Sequence, residues 1–222
     1  MQEETSGIMS DLLRQLNHFW DIENIDCNNM LQWVTSAVEK VNISFGASNN
    51  KYFLDKGFCT YNSAQYCVFL YYLSNIIGKA GETELADKVY YLNKIMNSVD
   101  LYWEIALPPH FVVEHPLGLV MGRAQYGDYL AAYQGVTVGG NRIGNQIQYP
   151  KLGNYVVLYA NATILGGCSV GDYVVFSANG FVKDEIIPDY SIVFGSSPNL
   201  TIKEYDREKI KQYFLPLWRE LK

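Results

Sequence analysis

Apolar residues recur three and four positions apart through the first hundred residues of the chain. Leu12, Leu13, Leu16, Phe19 and Trp20 follow Ser10-Asp11 at helical spacing, and Met30, Leu31, Val34, Val38 and Val41 repeat the pattern. Asn62-Ser63 stands as a capping pair before a strongly apolar segment that runs to Ile77 and meets Gly78. Thr83 opens a further stretch with Leu85, Val89, Leu92 and Met96 on one side, and Gly78 and Gly81 bracket the turn between the two helices. No proline occurs before Pro108. The predicted organisation is a helical domain over 1–103.

The pattern changes after Asp100. Glycine becomes frequent, and short β-branched runs alternate with turn residues. Cutting every six residues from Leu152 gives LGNYVV, LYANAT, ILGGCS, VGDYVV, FSANGF and VKDEII. The leading residues are Leu152, Leu158, Ile164, Val170, Phe176 and Val182, all apolar. Stepping back from Val138 adds Ala132 and Tyr126. A sheet has period two; a period of six means three short strands per triangular coil of a parallel β-helix, with the leading residue pointing inward. Fourteen residues separate Val138 from Leu152, where twelve would keep phase. The segment Gly139–Lys151 is therefore predicted to leave the coil as a loop, and long loops on a regular scaffold are where function concentrates. The repeat ends at Pro188. A final amphipathic helix is predicted after Asp206, with Ile210, Phe214, Leu217 and Trp218 apolar and Pro216 expected to kink or shorten it. The fold class is α+β, with the β-helix over 104–203 and the C-terminal helix over 204–222.

Composition narrows the function. The 222 residues are 49% apolar and 18% charged, which suits a packed chain rather than a disordered one. A net charge of -6, with no run of Lys and Arg, gives no footprint for nucleic acid. The apolar stretch Cys67–Ile77 is too short to span a bilayer, and the N-terminus has no signal-peptide core, so a cytoplasmic protein is expected. The four cysteines have no C-x-x-C spacing and lie far in sequence from His18, His110 and His115. Free thiols and no metal site are expected. His18 and His110 fit no motif and are expected to be structural.

The segments EHPLGLVMG (Glu114–Gly122), YQGVTVGG (Tyr133–Gly140) and YPKLG (Tyr149–Gly153) resemble serine O-acetyltransferases, members of the hexapeptide-repeat, left-handed β-helix acyltransferases. The resemblance covers about residues 104–200 and touches Asp55-Lys56-Gly57-Phe58 in the helical half. It implies a left-handed β-helix, acetyl-CoA as co-substrate, and a homotrimer or dimer of trimers in which a neighbouring subunit completes the coenzyme groove.

What the resemblance implies for single residues is equally specific. His115 takes the general-base position. An imidazole titrates near ~6.5, so it can remove a proton from an attacking hydroxyl near neutrality. Glu104 takes the place of the carboxylate that orients it, and Glu114 that of an acceptor ligand. Gly139 and Gly140 supply backbone N–H groups for the thioester oxyanion. Ala160 and Ala178, eighteen residues apart, line the pantetheine groove with small side chains, and Lys183 stands near enough to meet phosphate. The exit loop departs from the family, because Gln148 stands where an Arg would bind the serine carboxylate and Tyr149 replaces a His. Gln cannot make a charge-assisted bidentate pair. That departure points to an uncharged acceptor, a sugar hydroxyl of surface-polysaccharide synthesis, with L-serine as the alternative and a non-catalytic oligomeric scaffold as the second. Arg142, earlier in the loop, is a cation that could still serve serine.

Overall fold

A computed structural model describes residues 2–22 and 25–221, so the extreme positions 1 and 222 of the expected domains lie outside it. Five helices come first: α1 (Gln2–Phe19), α2 (Cys27–Gly46), α3 (Lys51–Lys56), α4 (Ser63–Lys79) and α5 (Thr83–Asn97). The first begins well before Ser10, and the short α3 lies in a stretch where no helix was predicted. Asn62 caps α4 by accepting from Gln65 N. Gly78 does not end that helix; the Trp103 ring lies against it, and a Cβ there would sit 2.3 Å from Trp103 Cε3. The small residue thus lets the linker to the second half pack on α4. Tyr71 donates to Ile105 O, Tyr72 to Pro108 O and Asn75 to Trp103 O, which fix that linker along the helix.

The second half is a parallel β-solenoid of about five turns. The first coil is β1 (Phe111–Glu114), β2 (Val120–Met121) and β3 (Gln125–Tyr126); the second is β4 (Leu130–Tyr133), β5 (Thr137–Gly139) and β8 (Lys151–Leu152). Between β5 and β8 runs an antiparallel hairpin, β6 (Asn141–Ile143) and β7 (Gln146–Gln148). The third coil is β9 (Val156–Leu158), β10 (Thr163–Leu165) and β11 (Ser169–Val170), and the fourth β12 (Val174–Phe176), β13 (Phe181–Lys183) and β14 (Ile186–Ile187). The last is β15 (Ser191–Ser196), with β16 (Asn199–Glu204) antiparallel to it. All six predicted inward residues, Leu152 to Val182, are buried, as are Ala132 and Val138.

The register explains the broken phase. Ile164 pairs with Val182 and Leu158 with Phe176, eighteen residues apart, but Val138 pairs with Ile164 across twenty-six. The excess of eight equals the length of the hairpin, 141–148. The fourteen-residue interval is thus one hexad plus eight residues, not two hexads plus two. Gly144 at φ 59 makes the two-residue turn.

Both open ends of the solenoid are covered, which removes edges that would otherwise recruit other strands. Helices α2 and α4 pack on β1, with Ser44 Oγ bridging the Phe111 N–H and C=O. Strand β16 pairs along β15 at the far end.

One corner carries a ladder that the hexad pattern does not announce. Tyr129, Tyr155, Tyr173 and Tyr190 all take positive φ and stack ring on ring, with centroids 4.4, 4.4 and 5.5 Å apart. His110 stacks on Tyr129 at 4.3 Å and extends the column. The residues just before them form a second ladder: Asp128 N donates to Asn154, Asn154 N to Asp172 and Asp172 N to Asp189. These side chains satisfy the backbone at a turn where strand pairing fails. The C-terminal segment covers the column. Its helix α6 (Arg207–Lys211) is shorter than the predicted one, and beyond it Phe214 and Trp218 meet Tyr173 and Tyr129 edge-on. Ile210, Phe214 and Trp218 are fully buried. Trp218→Ala should cost ~3–5 kcal/mol through the cavity it leaves. Trp218→Phe should cost much less, because the buried indole N–H has no acceptor among the described residues. Urea unfolding of the two variants measures the difference.

Candidate active site

His115 lies where the chain turns from β1 towards β2. Glu114 pairs with Tyr133 and Val120 with Thr137, so this corner spans six positions in the first coil but four in the second. The two extra residues push His115 out of the coil; it is exposed, at φ 53, while Pro116 is buried. Positive φ recurs at solenoid corners, as at Asn161 and Asn179, so the extra length rather than the dihedral is particular to this site.

Above this corner the register continues through Gln134, Ala160 and Ala178, because Ala132 pairs with Leu158 and Leu158 with Phe176. Asn161 N donates to Gln134 O and Asn179 N to Ala160 O, which locks the column. Beyond Gln134 the column carries only the methyl side chains of Ala160 and Ala178 at these two levels. Gln134, which the sequence reading passed over, has its Oε1 buried with no hydrogen-bond partner among the described residues. Its position one coil above His115 becomes visible only in the register.

Glu114 is half-buried beside His115. Burial pushes its carboxyl above the ordinary range, while a hydrogen bond from Asn50 Nδ2 (3.4 Å) and the nearby His115 imidazole act in the opposite direction. Tyr133, one coil above, has its phenol pushed up to about 12 by burial, then by Tyr159 and Glu114. Glu104 is placed elsewhere. It is exposed and pairs with Arg123 at 3.3 Å, and no hydrogen bond joins it to His115. The residue that bridges to Val120 beneath the first coil is Asp100, whose carboxylate accepts from Tyr90 Oη and Lys94 Nζ, each at 2.8 Å.

The remaining candidate residues belong to a different corner. Gly139 pairs with Leu165 and Leu165 with Lys183, which puts Gly139, Gly140, Lys183 and the hairpin root in one column. A Cβ on Gly140 would lie 2.7 Å from the Tyr149 ring and 2.9 Å from Ile147, so both side chains close over that glycine. Gln148 packs its amide oxygen over Gly167. Gln148 and Tyr149 thus lie over the coil at the hairpin root, and both, like Arg142 on β6, remain exposed. The five residues from Gln134 to Gly139 span about 16 Å at ~3.3 Å per residue. The His115 corner and the hairpin corner thus stand at opposite edges of one face.

Among the described residues no three His, Cys, Asp or Glu side chains converge as a metal site, and no helix is long and apolar enough to cross a membrane. All four cysteines are free thiols, and burial pushes the Cys67 thiol up to about 12.

No family model matches the chain. Among curated proteins, the serine acetyltransferase of Synechococcus elongatus is 32% identical over 104 residues, which is 46% of this chain and 43% of that protein. The serine acetyltransferase of Helicobacter pylori is 28% identical over 140 residues, 63% of this chain and 81% of that one. The chain thus spans less than half the length of the first relative and most of the second. Among solved structures, the serine acetyltransferase of Brucella abortus in complex with coenzyme A superposes with a TM-score of 0.68 at 18% identity, over 90% of this chain and 82% of that one. The coils and their six-residue register define a left-handed β-helix of the hexapeptide-repeat type. Within that class, the relatives that the chain resembles are serine acetyltransferases.

The Glu114 carboxyl makes stability depend on pH. Its native value is raised above about 4.5, so just above that pH the native state holds a proton that the unfolded chain has released. Stability therefore falls as pH rises through that window. Glu114→Gln should flatten this slope, and at pH 7 its urea midpoint should equal or exceed the parent's. A lower midpoint at pH 7 would contradict the assignment.

Proposed function

We propose that the protein is an acetyl-CoA-dependent O-acetyltransferase whose acceptor is L-serine. The observation that carries this reading is the His115 corner: an exposed imidazole on a two-residue bulge, beside a half-buried carboxylate, at the foot of a column of alanines. His115 removes the proton from the acceptor hydroxyl as its oxygen attacks the thioester carbonyl, and returns that proton to the coenzyme thiolate as it leaves. Glu114 receives the acceptor's ammonium group. Ala160 and Ala178 leave space for the pantetheine arm, and the Gly139 and Gly140 N–H groups face the oxyanion.

The relatives that the chain resembles, serine acetyltransferases in sequence and in fold, support serine over a sugar. Arg142, exposed on β6, is the cation for the serine carboxylate. Because His115 and the hairpin stand at opposite edges of one face, each site takes His115 and Glu114 from one copy and the hairpin from the next. A homotrimer, alone or paired with a second, closes such contacts. Glu104 pairs with Arg123 within one chain, so its part in catalysis is the smaller one.

His115→Ala should lower turnover by ~10²–10⁴ with little change in coenzyme affinity. Glu104→Gln should cost less than about tenfold. Arg142→Gln should raise KM for serine more than it lowers kcat. Thiol release from acetyl-CoA with L-serine measures all three. Wild-type turnover in His115→Ala, or rapid transfer to sugars with none to serine, would refute the reading.

A further inference from the structure

Glu114 is held from outside the solenoid. Asn50, at the start of α3, directs Nδ2 to Glu114 Oε1 at 3.4 Å while its Oδ1 accepts from Phe53 N at 3.1 Å. One end of the amide caps a helix, and the other touches the His115 corner. The residue before it is gripped by the C-terminal segment. Asn49 N donates to Leu217 O (2.9 Å), and Asn49 Nδ2 to Leu215 O (2.5 Å) and Trp218 O (3.3 Å). Arg219 N donates to Ala47 O at 2.9 Å. Trp218 is itself wedged against Tyr129 of the ladder. The loop that carries Asn50 is therefore clamped between the helical half and a strap that begins at the far end of the solenoid.

We propose that Asn50 is a positioning residue of the acceptor site, holding the Glu114 carboxylate oriented beside His115, and that the C-terminal strap holds Asn50 in place through Asn49. The inference rests on the reading of this corner as the acetyl-transfer site. A carboxylate that is to receive an ammonium group must be charged, and burial opposes the charge. Among the described residues, three groups face Glu114: His115 next to it in the chain, Tyr133 in register on β4, and Asn50 at the cap of α3. Tyr133 stays a neutral phenol at physiological pH. Asn50 is the donor that the helical half contributes.

Two substitutions separate the cap from the contact. Asn50→Ser keeps an oxygen able to cap Phe53 N but is too short to reach Glu114. Asn50→Asp keeps the cap and sets a like charge against Glu114. Carbon-13 NMR of the Glu114 carboxyl in the full chain reads the contact without any need for activity. The titration midpoint should move up in Asn50→Ser and further in Asn50→Asp, with thermal unfolding nearly unchanged. KM for L-serine should rise about tenfold in Asn50→Ser, with a smaller change in kcat. Asn49→Ala should move the same quantities in the same direction, but less. If Asn50→Ser leaves both the Glu114 titration and KM at parent values, the positioning role is overturned. If Asn49→Ala moves neither, the strap's part is overturned. A parent chain that transfers acetyl to no acceptor refutes the proposed function, and the titration still decides the Asn50–Glu114 contact.

Discussion

Every group that projects from this solenoid is placed by the register of its parallel coils. The inward residue of each hexad stacks on its equivalent one coil away, and the strand hydrogen bonds leave it no freedom to slip. A residue's position in the hexad therefore decides which corner it occupies. The three corners have diverged in use. One is filled by the tyrosine and Asp/Asn ladders and closed by the C-terminal segment, so it serves stability. The second carries the His115 bulge and, above it, the alanines. The third throws out the hairpin. The last two are separated by a full face, so the fold holds His115 and the hairpin apart within a chain.

The helical half is more than a cap on the first coil. Helices α2 and α4 cover β1, and the chain between α2 and α4 brings Asn50 to Glu114. The C-terminal strap crosses from the last coil back to that same loop. The site corner is thus braced at both ends of the molecule by segments that have no hexad repeat.

What the sequence disclosed follows from what produces periodicity. The inward column from Leu152 to Val182 was legible because burial imposes its period directly. The interruption was legible as well, but not its size, since an eight-residue hairpin plus one hexad fills the same fourteen residues as two hexads with a two-residue insertion. The tyrosine ladder went unseen. Its members are 26, 18 and 17 residues apart, so the hairpin and a one-residue slip between Lys183 and Ile186 disguise the column. Glu104 was placed by its neighbours in sequence, whereas the bridge of Asp100 to Val120 shows which residue lies under the first coil. Nothing in a linear sequence shows that Gly167 and Gly140 lie beneath Gln148 and Tyr149. The contact of Asn50 with Glu114 joins residues 64 apart and has no local signature.

The central claim is that one site is built from the His115 corner of one copy and the hairpin of another. Subunit mixing tests it most directly. A variant carrying His115→Ala is combined with a second lacking residues 141–148, each inactive alone, under conditions that let folded subunits exchange. The account predicts that acetyl transfer to L-serine reappears in the mixture, because some contacts then pair an intact His115 with an intact hairpin. Exchange confirmed by mass spectrometry with no return of activity would contradict it, and would mean that each chain builds its site alone.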